Sequence, residues 1–210
     1  VLYFAIPFLF LVSLLFAMGG FSPTHDEFSF LSESFLKGNL HLVTDNPSSD
    51  VVTYQDKQYW PLGPFPAILI APITFFTNGH VQQNLVEFFT IIATVLLIFY
   101  FLKTRFKFSN NNAIWLTMSF IFASVYALIP FWYGSFTLAH AISVFLLFLA
   151  LFEYYGKKRY WLIGIIFAAM SMTRFTATFA GLFFLFELLS ENKTFKEKTT
   201  NMIMLGTPVL

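Results

Sequence analysis

The chain has 210 residues, of which 57% are hydrophobic, 21% are aromatic and only 11% are charged. Because globular chains usually carry about 25% charged residues, this composition excludes a water-soluble domain and indicates a membrane protein. The net charge of +1 gives no reason to expect nucleic acid as a partner, and the absence of cysteine excludes disulfides, thiolate metal sites and cysteine nucleophiles. The chain starts at Val1 and stops inside an apolar run, so we expect it to be the N-terminal part of a longer protein.

The distribution of charge predicts the topology. Nine of the twelve lysines and arginines fall in three tight groups, which begin at Lys103, Lys157 and Lys193. The positive-inside bias places all three groups on the cytoplasmic side. Residues 19–64 instead hold six of the eleven acidic residues and only two lysines, so we expect this segment to be a long extracytoplasmic loop.

The apolar runs between these markers predict the spans. Residues 1–18 are long enough for a first transmembrane helix, with a cleaved signal peptide as the alternative. Residues 65–76 contain two prolines and predict a short helix on or dipping into the outer leaflet, whereas residues 85–102 predict a full span.

The second half of the chain predicts four more crossings. Residues 113–131 are predicted to cross to the outside and residues 138–155 to cross back to the cytoplasm. A turn with interfacial aromatic residues joins them. Both ends of the next apolar run carry cytoplasmic markers, so it predicts two short helices, residues 160–172 and 176–189, that meet near Arg174 at the outer leaflet.

The extracytoplasmic loop begins with a helix signal. Thr24-His25-Asp26-Glu27 matches a capping box, and Gly38 supplies a left-handed stop, which predicts an amphipathic helix along the outer membrane surface. A capping role explains the position of Glu27, and a role in a substrate or metal site is the alternative. Asp26 is better suited to bind a metal or to accept a hydroxyl proton.

The rest of the loop predicts a hairpin followed by a proline run. Asp56-Lys57 joins two short predicted strands, and Tyr59 and Trp60 precede the Pro-x-x-Pro-x-Pro sequence of residues 61–66. The two aromatic side chains are interpreted either as exposed faces of a sugar or lipid site or as interfacial anchors.

Several of these segments together resemble a known family. They are His25 to Leu40, Tyr54 to Trp60, the proline run, Gly134 to His140, and Met172 to Ala177. The pattern resembles the membrane glycosyltransferases of the GT-C fold class and is most similar to the dolichyl-phosphate-mannose-protein mannosyltransferase-like family, which includes bacterial lipid A aminoarabinose transferases. A proline often follows the arginine in that family, whereas Phe175 stands here.

The resemblance implies an all-α, polytopic transmembrane helical bundle in the cell membrane. It also implies transfer of a sugar from a polyprenyl-phosphate donor to a lipid, glycan or protein acceptor on the extracytoplasmic side. Asp26 matches the family's proposed catalytic acid. A divalent cation is a candidate cofactor, with Asp26, Glu27 and Asp56 as its candidate ligands, although no metal-ligand spacing is convincing.

The candidates for binding the substrate are Glu27, Asp56, Tyr59, Trp60, His140 and Arg174. Arg174 is the one Arg or Lys outside the cytoplasmic groups and the acidic loop, so it either stabilises a leaving phosphate or reaches to the outer headgroups. His140 is interpreted as a phosphate or acceptor ligand, or as an anchor. Glu87 and Glu153, near the ends of spans, are interpreted as solvated or paired.

Two other classes of function stay open. A transporter or lipid flippase would line its path with Asp26, Arg174 and His140, and it predicts acidic residues inside the spans. A structural membrane subunit predicts no convergent polar groups.

Overall fold

The computed structural model describes residues 27–43, 50–77, 81–124, 126, 134–192 and 194–209. Within these ranges the chain is mostly helical, with eight α-helices, one two-stranded hairpin and two 3-10 helices. The predicted first span, the residues Thr24 and Asp26, and the aromatic turn at Trp132 and Tyr133 all lie outside the described residues.

The elements follow one another in a simple order. The helices are α1 (Glu27–Leu36), α2 (Phe65–Thr77), α3 (Gln83–Thr104), α4 (Asn110–Phe122), α5 (Ser135–Tyr154), α6 (Tyr160–Ser171), α7 (Gly181–Ser190) and α8 (Phe195–Gly206). The strands are β1 (Val52–Tyr54) and β2 (Lys57–Tyr59), and the 3-10 helices are Phe175–Ala180 and Thr207–Val209.

Two of these helices, α3 and α5, are long and apolar enough to cross a membrane. They have 22 and 20 residues. At about 1.5 Å per residue each helix is therefore at least about 30 Å long, which matches the hydrocarbon core of a bilayer. Both lie where the apolar runs predict them, because long runs of this kind are the strongest local signal for a spanning helix.

Helix α1 packs against α2. Its sequence predicts an amphipathic helix with an exposed polar face, and part of that face is buried instead. Its apolar Phe28 is buried as expected, but Ser29 and Ser32 are buried as well. The Ser32 hydroxyl donates to Thr74 Oγ1 at 2.9 Å, and the Ser29 hydroxyl donates to the carbonyl of Val81 at 2.7 Å. Small hydroxyl side chains let the two segments approach closely while keeping their polar atoms bonded, so part of the predicted polar face is buried in tertiary contacts.

The predicted end of α1 is confirmed at Gly38. This glycine has a φ of +77°, the left-handed conformation that ends many helices. The amide of Asn39 then donates to the carbonyl of Ser34 at 2.8 Å, which satisfies one of the last carbonyl groups of the helix.

The predicted hairpin is also confirmed, with its turn one residue earlier than expected. Val52 pairs with Tyr59 and Tyr54 pairs with Lys57, so the turn consists of Gln55 and Asp56. Both turn residues have a positive φ, as the tight turns that suit the twist of a hairpin require. In a hairpin the turn and the register of the strands are coupled, and the observed register places the turn at Gln55 and Asp56 instead of Asp56 and Lys57.

Helix α4 is shorter than the span predicted for residues 113–131. It begins at Asn110, where the Ser109 hydroxyl accepts a hydrogen bond from the amide of Asn112, and it ends at Phe122. Thirteen residues rise only about 20 Å, less than the hydrocarbon core. The apolar run alone could not locate this end, since it continues through residues outside the described part.

The predicted break at Arg174 is confirmed, although the helix after it begins differently. Helix α6 ends at Ser171, and Arg174 is extended with φ −148° and ψ 119°. The chain then forms the 3-10 helix Phe175–Ala180 before α7 starts, whereas an α-helix was predicted over the whole of residues 176–189. The β-branched threonines of this stretch lower its helix propensity and favour the tighter local turn.

The core surrounds α5. Its buried face contains Leu138, Ala139, Ile142, Leu146 and Ala150. Small alanines alternate with larger side chains along this face, so neighbouring helices can pack closely against it. Residues of α1, α6 and α7 complete the same cluster: Phe28, Ile163, Phe167, Met170, Phe184 and Leu188.

The far end of α5 is held by ionic contacts. The Arg159 guanidinium bonds both oxygens of Glu153, at 2.8 and 2.9 Å, so the expected pairing of Glu153 is confirmed. The same carboxylate raises the pKa of Arg159 above its ordinary value. This end also carries Lys157 and Lys158, one of the basic groups that predict the cytoplasmic side.

Candidate functional site

The start of α5 brings together residues that are far apart in the sequence. The Ser135 hydroxyl, in the first turn of α5, donates to Glu27 Oε2 at 2.6 Å. Glu27 is the first residue of α1 and is only 4% exposed. The sequence favoured a capping role for Glu27, whereas its carboxylate makes a buried tertiary contact that joins two helices.

Trp60 of the loop reaches the same place. The rings of Trp60 and Phe136 meet edge to face with centroids 5.5 Å apart, and Trp60 also contacts Phe28 at 6.0 Å. Trp60 is only 7% exposed, so the interpretation of its ring as an exposed platform is wrong. The ring belongs to the core because α1 and α5 both pack against it.

The proline run contacts the turn that carries Arg174. The amide of Phe65, at the start of α2, donates to the carbonyl of Met172 at 3.0 Å. A Cβ atom added to Gly63 would lie 2.0 Å from that carbonyl oxygen, so only glycine allows this approach. The proline run and the Arg174 turn are therefore fixed against each other by backbone contacts.

Arg174 and His140 form the most direct polar pair among the predicted residues. Arg174 Nη1 lies 2.7 Å from His140 Nε2. Because a guanidinium can only donate, Nε2 accepts and the imidazole proton is on Nδ1. The pair lines a groove of about 280 Å³, together with Ser143, Thr176 and apolar residues of α5 and α6. The groove thus offers a cation and two hydroxyl groups on an otherwise apolar surface.

The contacts of Glu27 and Arg174 lie close together along α5. They are made by Ser135 and His140, five positions apart in the helix. Five residues correspond to a rise of about 7.5 Å and a rotation of about 140°. The acidic helix and the arginine turn therefore meet the same end of α5 from different sides.

No family model, curated protein or solved structure matches this chain. The resemblance to GT-C glycosyltransferases stays a prediction.

Of the predicted site residues, only His140 and Arg174 are among the described residues that line this groove, and Glu27 and Trp60 contact the start of α5 beside it. Asp56 is exposed in the turn of the hairpin. Tyr59 is half-buried, with its ring centroid 6.3 Å from that of His41. Asp26, the predicted catalytic residue, lies outside the described residues.

The described residues do not bring candidate metal ligands together. Across the described ranges no three His, Asp or Glu residues are grouped closely enough to hold a metal ion. Glu27 bonds Ser135, whereas Asp56 points from the hairpin turn. Coordination of a cation by Asp26, Glu27 and Asp56 together stays a prediction.

The sequence interpretation missed a polar group on the buried face of α3. Gln83 and Glu87 are 2% and 3% exposed, whereas a solvated or paired Glu87 was expected. Ser135 lies 3.0 Å from Gln83, and the Thr137 hydroxyl lies 3.2 Å from Glu87. Their spacing of four residues within an apolar helix was the available signal, because it places both side chains on one face.

Proposed function

We propose that this chain is part of a multi-pass membrane glycosyltransferase that moves a sugar from a polyprenyl-phosphate donor to an acceptor on the extracytoplasmic side. One observation supports the proposal above all. Three segments of the suggested family pattern contact the start of α5, through Glu27 with Ser135, Trp60 with Phe136, and Arg174 with His140, and the proline run joins the Arg174 segment through Phe65 with Met172.

The proposed reaction needs a base and a cation. A carboxylate, assigned to Asp26, removes the proton of the acceptor hydroxyl or amine. The acceptor atom forms a bond to the anomeric carbon of the sugar, the bond from that carbon to the phosphate oxygen breaks, and the lipid phosphate leaves with the electron pair. The acceptor proton remains on the carboxyl group until solvent removes it.

Arg174 is suited to the leaving phosphate. Its guanidinium is always charged and presents several donors in a plane, which matches phosphate oxygens. His140, as the acceptor in their contact, orients the guanidinium without adding a second positive charge. Their groove is open and partly apolar, as a site for a lipid-linked phosphate requires.

The experiment is a transfer assay in membranes that contain the full-length protein. Radiolabelled polyprenyl-phosphate sugars are added, and the labelled product is identified. We expect transfer by the wild type and by Glu33→Gln, a change at a half-buried acidic residue of α1 that pairs with Lys37. Asp26→Asn is expected to insert normally but to transfer no sugar, so normal transfer by this variant would refute the assignment.

A transporter or flippase is the second candidate, and one observation favours it. Glu87 is buried within α3, a candidate span, and further along the same helix the Tyr126 hydroxyl donates to Thr94 at 2.9 Å. Buried acidic residues inside a span are what this class predicts. Sugar transfer that is lost in Asp26→Asn but retained in Glu87→Gln would favour the glycosyltransferase.

A further inference from the structure

Two hydroxyl groups in the first turn of α5 each lie between two acceptor oxygens. Ser135 Oγ is 2.6 Å from Glu27 Oε2 and 3.0 Å from Gln83 Oε1. Thr137 Oγ1 is 2.6 Å from the carbonyl oxygen of Gly134 and 3.2 Å from Glu87 Oε2. Because a hydroxyl has one hydrogen to donate, one contact of each pair needs a hydrogen from its other partner.

The contact of Ser135 has a simple source for this hydrogen. The oxygen and nitrogen atoms of a glutamine amide are nearly interchangeable in shape, so the amide of Gln83 can be turned to donate from its nitrogen. Ser135 then accepts from Gln83 and donates to Glu27, and both contacts are hydrogen bonds.

For the contact between Thr137 and Glu87, no neighbouring amide can be turned to supply the hydrogen. Its shorter contact, at 2.6 Å, is with the carbonyl of Gly134, which has no hydrogen to give, so the hydroxyl donates there. The second partner of Thr137 is Glu87, and an ionised carboxylate has no hydrogen to donate either. Thr137 could at most share its one hydrogen between the two acceptors, whereas a carboxyl group of Glu87 that carries its own hydrogen makes the 3.2 Å contact a full hydrogen bond.

The surroundings of Glu87 lead to the same conclusion. Its side chain is 3% exposed, and its Oε1 has no hydrogen-bond partner within the described part of the chain. No Lys, Arg or His side chain of the described ranges forms an ion pair with it. A buried carboxylate without a cation is strongly disfavoured, and such a group is usually neutral instead.

Within the part of the chain that the structure describes, the other titratable groups near Glu87 do not supply a compensating cation. Glu27 approaches Ser135 from α1 and is itself acidic. Tyr126, after α4, donates its hydroxyl hydrogen to Thr94. On α5, His140 is engaged with Arg174.

We infer that Glu87 is a proton-binding site, a neutral carboxylic acid that donates its hydrogen to Thr137 and so ties α3 to the first turn of α5. The same turn holds Glu27 through Ser135 and leads to His140. Loss of the proton would remove this tie and leave a buried charge at the helix junction. The inference does not depend on the proposed sugar transfer.

The test is infrared difference spectroscopy of the purified full-length protein in detergent. At neutral pH we expect the carbonyl band of a protonated carboxylic acid, which is lost in Glu87→Gln. The band should persist in Glu33→Gln, because Glu33 is ion-paired with Lys37. Absence of the band from the wild type, or its survival in Glu87→Gln, would overturn the inference, and so would its loss on adding Na⁺ at constant pH.

A variant of Thr137 tests the hydrogen-bond partner without changing Glu87. Thr137→Val removes the accepting oxygen, so the band should remain and move to the higher frequency of a carboxyl group without this hydrogen bond. Thr137→Ser keeps a hydroxyl and should leave the band in place. A band that does not respond to Thr137→Val would contradict the assigned bond.

Discussion

Buried polar residues fix the start of α5 more specifically than apolar packing does. Glu27, Gln83 and Glu87 come from two different helices, and each contacts a hydroxyl group of α5. Hydrogen bonds of this kind have narrow distance and angle requirements, whereas apolar contacts tolerate small shifts. The polar group therefore sets the rotation of α5, which in turn places His140 beside Arg174.

The Ser135 hydroxyl is expected to contribute measurably to stability. Ser135→Ala removes a hydrogen bond to a buried carboxylate, so we expect the free energy of unfolding to fall by about 1–3 kcal/mol. Denaturant titration in detergent, followed by circular dichroism, measures the change. Ser190→Ala, at an exposed position of α7, is the matched control and should change stability by less than about 0.5 kcal/mol. Equal stabilities of the two variants would contradict the bond.

The proposed role of Arg174 predicts a large kinetic effect. Arg174→Ala should lower the rate of sugar transfer by about 100-fold or more, as expected for loss of a group that stabilises a developing negative charge. Arg174→Lys keeps the charge but loses the planar donors, so its rate should be intermediate. Lys157→Ala, an exposed change at the other end of α5, serves as the control. If Arg174→Ala transferred sugar as fast as the control, the arginine would have no role in the reaction.

At the scale of elements, the backbone contact between the proline run and the Arg174 turn is the firmest link in the site. The start of α2 bonds the end of α6, and Gly63 permits their close approach. Two elements that are more than a hundred residues apart in sequence are thus held in one position. The geometry of the groove depends on this contact.

Gly63→Ala is therefore expected to be destabilising. The new methyl group would collide with the backbone carbonyl of Met172, which has no freedom to turn away, so overpacking should cost about 1–3 kcal/mol or more. Thermal unfolding in detergent gives the comparison. Gly206→Ala is the control, because a Cβ there meets nothing within 4 Å and alanine favours the helix. A Gly63→Ala protein as stable as that control would show that the approach is not close.

At the scale of the whole molecule, charge segregation predicts which end of α5 faces each side of the membrane. The acidic loop lies near the start of α5, and a basic group lies just after its end. Because the chain has no cysteine, single cysteines can be introduced and labelled without background. We expect Asp56→Cys to react with an impermeant thiol reagent from outside intact cells and Lys157→Cys to react only after permeabilisation. Labelling of both positions from the same side would contradict the topology.

The sequence predicted the elements better than their contacts. Long apolar runs, the glycine at position 38 and the break at Arg174 are local signals, so α3, α5, the end of α1 and the turn between α6 and α7 were expected. The buried serines of α1, the buried Trp60 and the polar face of α3 depend on partners more than twenty residues away. No local pattern identifies such partners. The pairing of His140 with Arg174 is of this kind, although both residues were candidates individually.

The central claim is that the acidic start of the loop and Arg174 share one groove at the outer leaflet. The most direct measurement is a spin-label distance between cysteines introduced at positions 26 and 174 of the full-length, otherwise cysteine-free protein. We expect a distance well below half of the roughly 30 Å thickness of the hydrocarbon core, with both labels quenched by a reagent added outside. A distance near or above that thickness, or labels accessible from opposite sides, would contradict it.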